Sequence, residues 1–353
     1  MPSARKRKVS CLNENGFTVS KTKKKMKRVK MMGKESGKSR MIKAFTRQKV
    51  EGLVPHFEMV FFLTMEKLGR VHPSHRDYYQ WGQMSEKEKR LHDIDMAHCY
   101  VDIAEIYHHD AIFAQVDTQN PERAVRVLEA IRELDNGEHF VMIHGDPTFA
   151  IPDGNAMMDF SVRMYEDMEG LIAEQEENRK KWSEAIYQIS KHKGLIDCVA
   201  LCSDYAFNVN PFFTPEVFED LIAPCLKQCI DDYRAMGLYT MKHTDGNINP
   251  ILDQIVACGP DAIQSVDPQG GMSLSGCMEK YNDKVCFVGN VNCGLLQTGT
   301  DEEAAEDVRR ALREGMSKPT GFVFSTSNCV YTGMPLERYE MMNAIWQTEG
   351  RYC

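Results

Sequence analysis

The chain has 353 residues, with 43 Lys and Arg against 51 Asp and Glu, a net charge of −8, and 42% apolar residues. That length and balance fit a soluble globular protein with a sizeable core and exclude wholesale disorder. No apolar run reaches the roughly 18 residues that a membrane span needs. Charge is unevenly placed: residues 1–40 hold 14 basic residues beside Glu14 and Glu35, which leaves 29 basic against 49 acidic residues for the rest. Residues 1–40 therefore read as a basic, disordered N-terminal extension, and 41–353 as one acidic domain that is not expected to bind nucleic acid or a membrane. The start, Met1-Pro-Ser-Ala-Arg-Lys-Arg-Lys8, is not followed by the apolar stretch of a secretory signal. The twelve cysteines are scattered without a C-x-x-C pair, so they read as reduced thiols of a cytoplasmic chain. The 22 methionines are core filler that a cell seldom exposed to oxygen tolerates most easily.

In chain order, short apolar runs alternate with longer stretches of helical periodicity. The expected strands are Pro55–Phe62, Asp110–Val116, His139–His144, Cys198–Cys202, Leu238–Lys242, Asp261–Val266, Val285–Val288 and Gly321–Phe324. Helices are expected at Ser85–His108, Pro121–Leu134, Asn155–Lys191, Pro215–Met236, Asn249–Cys258, Asp301–Met316 and Pro335–Gln347. Thr214-Pro215-Glu216 places a cap before a first-turn proline, Thr300 with Glu303 makes a capping box, and Gly237, Gly259 and Gly315 mark helix ends. Alternating strands and helices imply parallel pairing with right-handed crossovers. Eight strands without G-x-G-x-x-G or a P-loop favour a closed (β/α)8 TIM barrel over an open dinucleotide-binding sheet.

A barrel gathers its chemistry at the C-terminal ends of its strands. Those positions carry Glu58, Asp117, His144 with Asp146, Asp204, His243 with Asp245, Asp267, Asn290 with Asn292, and Cys329. A lone Asp or Asn after a strand usually caps a helix or closes a turn. Polar groups at nearly every strand end make a functional mouth the stronger reading. The sharpest cluster is Lys242-His-Thr-Asp-Gly-Asn247, where His243 and Asp245 lie two apart and share a side on extended backbone. With Asp267 after the next strand and Cys329 after the eighth, these residues offer a three- or four-coordinate zinc site.

The segment from His243 to Ile263, HTDGNINPILDQIVACGPDAI, resembles the uroporphyrinogen decarboxylase superfamily, as does Phe287-Val-Gly-Asn-Val-Asn292. Gly299–Glu303 and Gly333–Met342 are similar to its last two helices, and Asp204, Phe213–Phe218 and Pro224 to its middle. The resemblance covers about residues 42–349, is strongest after 195, and implies the same barrel. Porphyrinogen decarboxylases carry Arg-Gln-Ala-Gly-Arg-Tyr after the first strand, with arginines for the substrate carboxylates. Here the stretch is Pro55-His-Phe-Glu-Met-Val-Phe-Phe-Leu63, with neither arginine.

The other branch holds corrinoid-dependent methyltransferases. Their zinc ligands are a His-x-Cys after strand five, an acid after strand six and a Cys after strand eight, which His243, Asp267 and Cys329 match. Asp245 departs from that pattern by standing where a thiolate is expected. The resemblance thus implies methyl transfer between a small, methoxylated substrate and a separate corrinoid protein, with zinc held by His243, Asp245, Asp267 and Cys329. The chain lacks the D-x-H-x-x-G of corrinoid-binding domains, so methylcobalamin would come with the partner. Glu58, His144 and Asp204 are then the catalytic candidates, and Asp117, Asp146, Asn290 and Tyr331 the substrate-binding ones. A homodimer is compatible with this reading. The competing readings are a decarboxylase of porphyrinogen or a smaller pyrrolic acid, and a barrel that binds a tetrapyrrole or corrinoid without chemistry.

Overall fold

A computed structural model describes residues 35–76 and 79–352. Most of the basic extension, residues 1–34, lies outside the described residues. Seven strands form one sheet: β1 (Ala111–Phe113), β2 (Phe140–His144), β3 (Cys198–Leu201), β4 (Tyr239–His243), β5 (Ala262–Gln264), β6 (Cys286–Val291) and β7 (Phe322–Thr326). Every pairing is parallel and the spatial order follows the sequence, with helices in the crossovers.

The eighth stave departs from expectation. Pro55–Phe62 is no regular strand; it touches the sheet through isolated parallel bridges, His56 with Phe324 and Phe61 with Val330. Proline at 55 supplies no N–H to a ladder. The segment still joins both edges of the sheet. His56 O accepts from Asp110 N just before β1, and Pro55 O accepts from Phe324 N in β7.

Parallel strands covered on both faces need apolar residues on both, and alternation sorts them. Phe140, Met142, Cys198, Ala200, Met241, Ala262, Cys286, Val288 and Val323 form the interior cluster. Val141, Ile143, Val199, Leu201, Ile263, Phe287, Phe322 and Phe324 pack against the helices. Small Ala and Cys set among Phe and Met let facing strands interdigitate.

A helix at Gly37–Phe45 packs against that interior cluster. Its first turn, Gly37–Arg40, falls in the stretch read from sequence as the end of the basic extension. Met41, Ala44 and Phe45 are buried in the cluster, and the Phe45 ring lies 5.3 Å from Phe140. Gly37 has no room for a side chain, since a Cβ there would sit 2.8 Å from Asp110 Cα. Arg40 Nε donates to Asp110 Oδ1 at 2.7 Å, and its Nη2 donates to Leu53 O at 2.7 Å. Arg40→Ala is therefore expected to cost about 3 kcal/mol, read as a lower urea midpoint, because it leaves a buried carboxylate uncompensated.

Capping follows the sequence closely. Thr214 accepts from Val217 N, and the Thr300–Glu303 box forms; Ser85 with Glu88 makes a second box. Gly237 and Gly259 take positive φ at helix ends as expected. Gly315 does not: it is the last helical residue, and a Cβ there would strike the Phe322 ring at 2.2 Å. The expected helix at Asn155–Lys191 is two, Ala156–Glu166 and Met168–Ser190, divided at Asp167, which caps the second by accepting from Gly170 N. The helix expected at Pro215–Met236 contains a π-helical turn, Phe218–Ile222. No helix among the described residues is long and apolar enough to cross a membrane.

Candidate metal centre

β4 and β5 build the site together. Their register pairs His243 with Gln264, each two residues beyond an interior residue, Met241 and Ala262. Gln264 Nε2 donates to Thr326 O at 3.2 Å and to Ser327 O at 3.3 Å, so its Oε1 faces the imidazole and accepts from His243 Nδ1. That bond places the proton on Nδ1 and leaves a lone pair on Nε2. Nε2 lies 3.7 Å from Asp204 Oδ1 and 3.8 Å from Asp245 Oδ1, beyond hydrogen-bond range of either. Asp204, His243 and Asp245 each offer one ligand atom, all within 4.8 Å of one another.

Each carboxylate is held from behind. Asp245 Oδ1 accepts from Ser265 Oγ at 2.7 Å, and its Oδ2 from Asn328 Nδ2. Asp204 Oδ1 accepts from Asp245 N at 2.9 Å. Burial raises the Asp245 carboxyl above its ordinary value, His243 opposes that rise, and Asp204 adds to it. Ser265 delivers its hydroxyl from a strained backbone, φ 94°, at the end of β5. Gly246 follows Asp245 at φ 79°, and a Cβ there would sit 2.5 Å from Ala206 O. The H-T-D-G order thus presses the Asp245 turn against the loop after β3.

This donor set suits a divalent cation: one imidazole whose Nε2 makes no hydrogen bond and two carboxylates, each with lone pairs left over. It differs from the expected set. Asp204, read from sequence as a catalytic residue, joins the cluster. Asp267 does not; its Oδ1 accepts from Gln269 N at 2.9 Å and its Oδ2 from Gly246 N at 3.2 Å, so it caps one turn and holds the Asp245 loop. Cys329 is also outside the group, though close enough to feel it. Burial pushes its thiol up to about 12, and Cys293, Asp245, Glu58 and Asp204 add to the rise.

Glu58 lies between the first stave and β7. Its Oε2 accepts from Thr326 N at 3.1 Å, from Thr326 Oγ1 and from Ser325 Oγ at 3.2 Å, while Oε1 has no partner. Burial pushes its carboxyl up to about 8, against the pull of those bonds. Since the folded state then binds the proton more tightly than an unfolded chain, stability must fall as pH rises from the ordinary 4.5 towards 8. Glu58→Gln should abolish that slope and be more stable than the native chain at pH 9, as urea midpoints at pH 5 and 9 would show.

The remaining candidates are dispersed. His144 ends β2 with its ring edge-on to Trp182 at 5.1 Å, and burial lowers its basicity. Asp146 is locked inside: Lys242 Nζ, Ser203 N and Thr148 N donate to it at 2.8, 2.8 and 2.9 Å. Asn290 Nδ2 donates to Val266 O at 2.8 Å, and its Oδ1 accepts from Arg310 at 3.1 Å, tying β6 to a helix behind it. Asn292 caps the helix Cys293–Thr298. Asp117 is exposed, and its carbonyl closes a turn onto Asn120 N. Tyr331 is half-buried, with its phenol pushed up by burial. Sequence reasoning missed Gln264, Ser265 and Asn328, which orient the cluster. The strand register could have flagged Gln264; nothing local marks Asn328.

Residues 196–348 match the family model described as Uroporphyrinogen decarboxylase (URO-D). Among solved structures, a methyltransferase from Methanosarcina mazei is similar in fold, with a TM-score of 0.70 and 16% identity, over 89% of this chain and 99% of that one. A GH5_18 protein from Bifidobacterium longum subsp. infantis is less alike, with a TM-score of 0.47 and 11% identity, over 86% and 80% of the two chains. No curated protein matches the sequence.

Proposed function

We propose that the protein is a methyltransferase that moves a methyl group between a small, methoxylated substrate and the corrinoid of a separate protein. The observation that carries this reading is the His243–Asp245–Asp204 cluster, with the imidazole lone pair aimed between two carboxylates. The fold shared with the Methanosarcina mazei methyltransferase supports it. So does the segment Pro55–Leu63, which holds no arginine to bind the carboxylates of a porphyrinogen.

A zinc ion on His243, Asp245 and Asp204 would supply Lewis acidity to an ether oxygen. The chain's own residues do the rest. Gln264 fixes the imidazole tautomer, and Ser265 and Asn328 hold Asp245 in one orientation. Glu58, neutral at pH 7 because of its burial, holds a proton that the departing oxygen needs once its methyl group has left. His144 and Tyr331 are the residues we assign to orienting the substrate.

The decisive test supplies free cob(I)alamin and a panel of methoxylated aromatics to the purified protein and follows methylcobalamin by absorbance. Zinc-dependent formation with at least one donor is expected. Uroporphyrinogen should remain unconverted when its oxidised products are analysed. Efficient conversion to the four-carboxylate product, with no methyl transfer, would replace this reading with the decarboxylase.

Gln264→Leu provides a graded check. It removes the acceptor that fixes the His243 proton, so zinc affinity should drop roughly 10- to 100-fold in a chelator competition, with the fold retained.

A further inference from the structure

Behind Glu58 lies a buried polar chain that the metal cluster does not use. Tyr339, on the closing helix Leu336–Glu349, is fully buried, as is His56; Glu58 and His109 are nearly so. The Tyr339 hydroxyl lies 2.8 Å from His109 Nε2 and 3.4 Å from His56 Nε2. His56 Nδ1 donates to Phe324 O at 3.0 Å, which makes its Nε2 an acceptor. The same hydroxyl acts on the Glu58 carboxyl, whose Oε1 makes no hydrogen bond. A cavity of about 30 Å³ adjoins Glu58 and is lined also by His72, Tyr100 and His109, enough room for one bridging water. His109 follows His108, which is exposed at the end of the helix Glu86–Tyr107. Four buried titratable side chains, Glu58, Tyr339, His56 and His109, thus stand together in the barrel wall, where apolar residues would pack at lower cost.

We propose that Glu58, Tyr339 and His109 form a proton relay that connects the reaction chamber to solvent through the barrel wall. This rests on the reading of Glu58 as the group that gives a proton to the departing oxygen. The transfer balances one proton per turnover. Glu58 loses its proton to that oxygen; the Tyr339 hydroxyl passes its proton to the Glu58 carboxylate and takes one from His109 Nε2. His109 takes its replacement from solvent at Nδ1, and the ring then exchanges tautomers to reset. No electron moves. His56 accepts the Tyr339 hydroxyl between transfers and keeps it positioned. Tyr339 and His109 touch no substrate, so both are positioning residues.

The test needs no turnover, so it stands apart from the methyltransferase reading. The neutral Glu58 carboxyl gives an infrared C=O band, identified by its loss in Glu58→Gln, and its shift on mixing with D2O times the arrival of a deuteron. In the full chain at pH 7 the band should be present. Tyr339→Phe, which keeps the ring and removes the hydroxyl, should retain the band and slow its shift about tenfold or more, within the range of a lost acid–base partner. His109→Gln should slow it similarly and covers the case in which Tyr339→Phe does not fold. Shift rates equal to the native chain in a folded Tyr339→Phe or His109→Gln would overturn the relay and route the proton through the mouth. Absence of the band at pH 7 would overturn it as well.

Discussion

Asp245→Ala is expected to purify without stoichiometric metal and to lose methyl transfer by about a hundredfold or more, beyond the loss typical of a supporting partner. The carboxylate is the best-held of the three grouped side chains, accepting from Ser265 and Asn328 at once. Asp204→Asn should weaken zinc while preserving the fold, since Asp204 is half-exposed and its bond to Asp245 N survives the change. Cys329→Ala separates this centre from the one the family pattern implies. The thiol, with its proton held by burial and by acidic neighbours, is not one of the three grouped ligands. Metal content by mass spectrometry should therefore stay near one equivalent in Cys329→Ala. If Cys329→Ala lost the metal and Asp204→Asn kept it, the His–Asp–Asp assignment would fail.

Lys242→Met should be the most destabilising single change, at about 3–5 kcal/mol in a urea titration. Lys242 is fully buried; its ammonium donates to Asp146 and to Ser203 O at 2.8 Å each and sits 3.9 Å from the centre of the Tyr205 ring. Methionine fills the space but leaves Asp146 ionised without a counter-charge. Burial pushes the Asp146 carboxyl up, but Lys242 and the other donors outweigh it and hold the value below the ordinary 3.8. A lowered folded-state value means that this stability is present above pH 3.8 and is lost as pH falls through the lowered value. The native chain should therefore lose this contribution in strong acid, and Lys242→Met should lack it. A change of under 1 kcal/mol at pH 7 would show the pair to be replaceable by packing.

Sequence periodicity located the strands well because both faces of a parallel strand are apolar, and runs such as Phe140–Ile143 and Cys198–Leu201 have no other reading. It failed at Pro55–Phe62, where an equally apolar run is broken by proline and by a glutamate turned into the barrel wall. The site was legible only in part. His243 and Asp245 share one short motif, so their spacing alone brings them side by side. Asp204 and Gln264 reach the cluster from two other strands, and which residue meets the imidazole depends on strand register and loop path. Asp267 shows the opposite case. It carries similar chemistry at a strand end but lies outside the group of three, its oxygens accepting from the N–H groups of Gly246 and Gln269.

The helix Gly37–Phe45 has a kinetic consequence. Met41, Ala44 and Phe45 are at most 1% exposed and stopper the barrel interior at the end they fill. On the function proposed above, a corrinoid protein seated on the opposite, strand-end mouth would stand across the open side of the barrel. Binding would then be ordered: the methyl donor enters before the partner docks, and the demethylated product waits until the partner departs. Excess partner should accordingly inhibit the reaction by trapping product, and turnover should peak at an intermediate partner concentration rather than rise to a plateau.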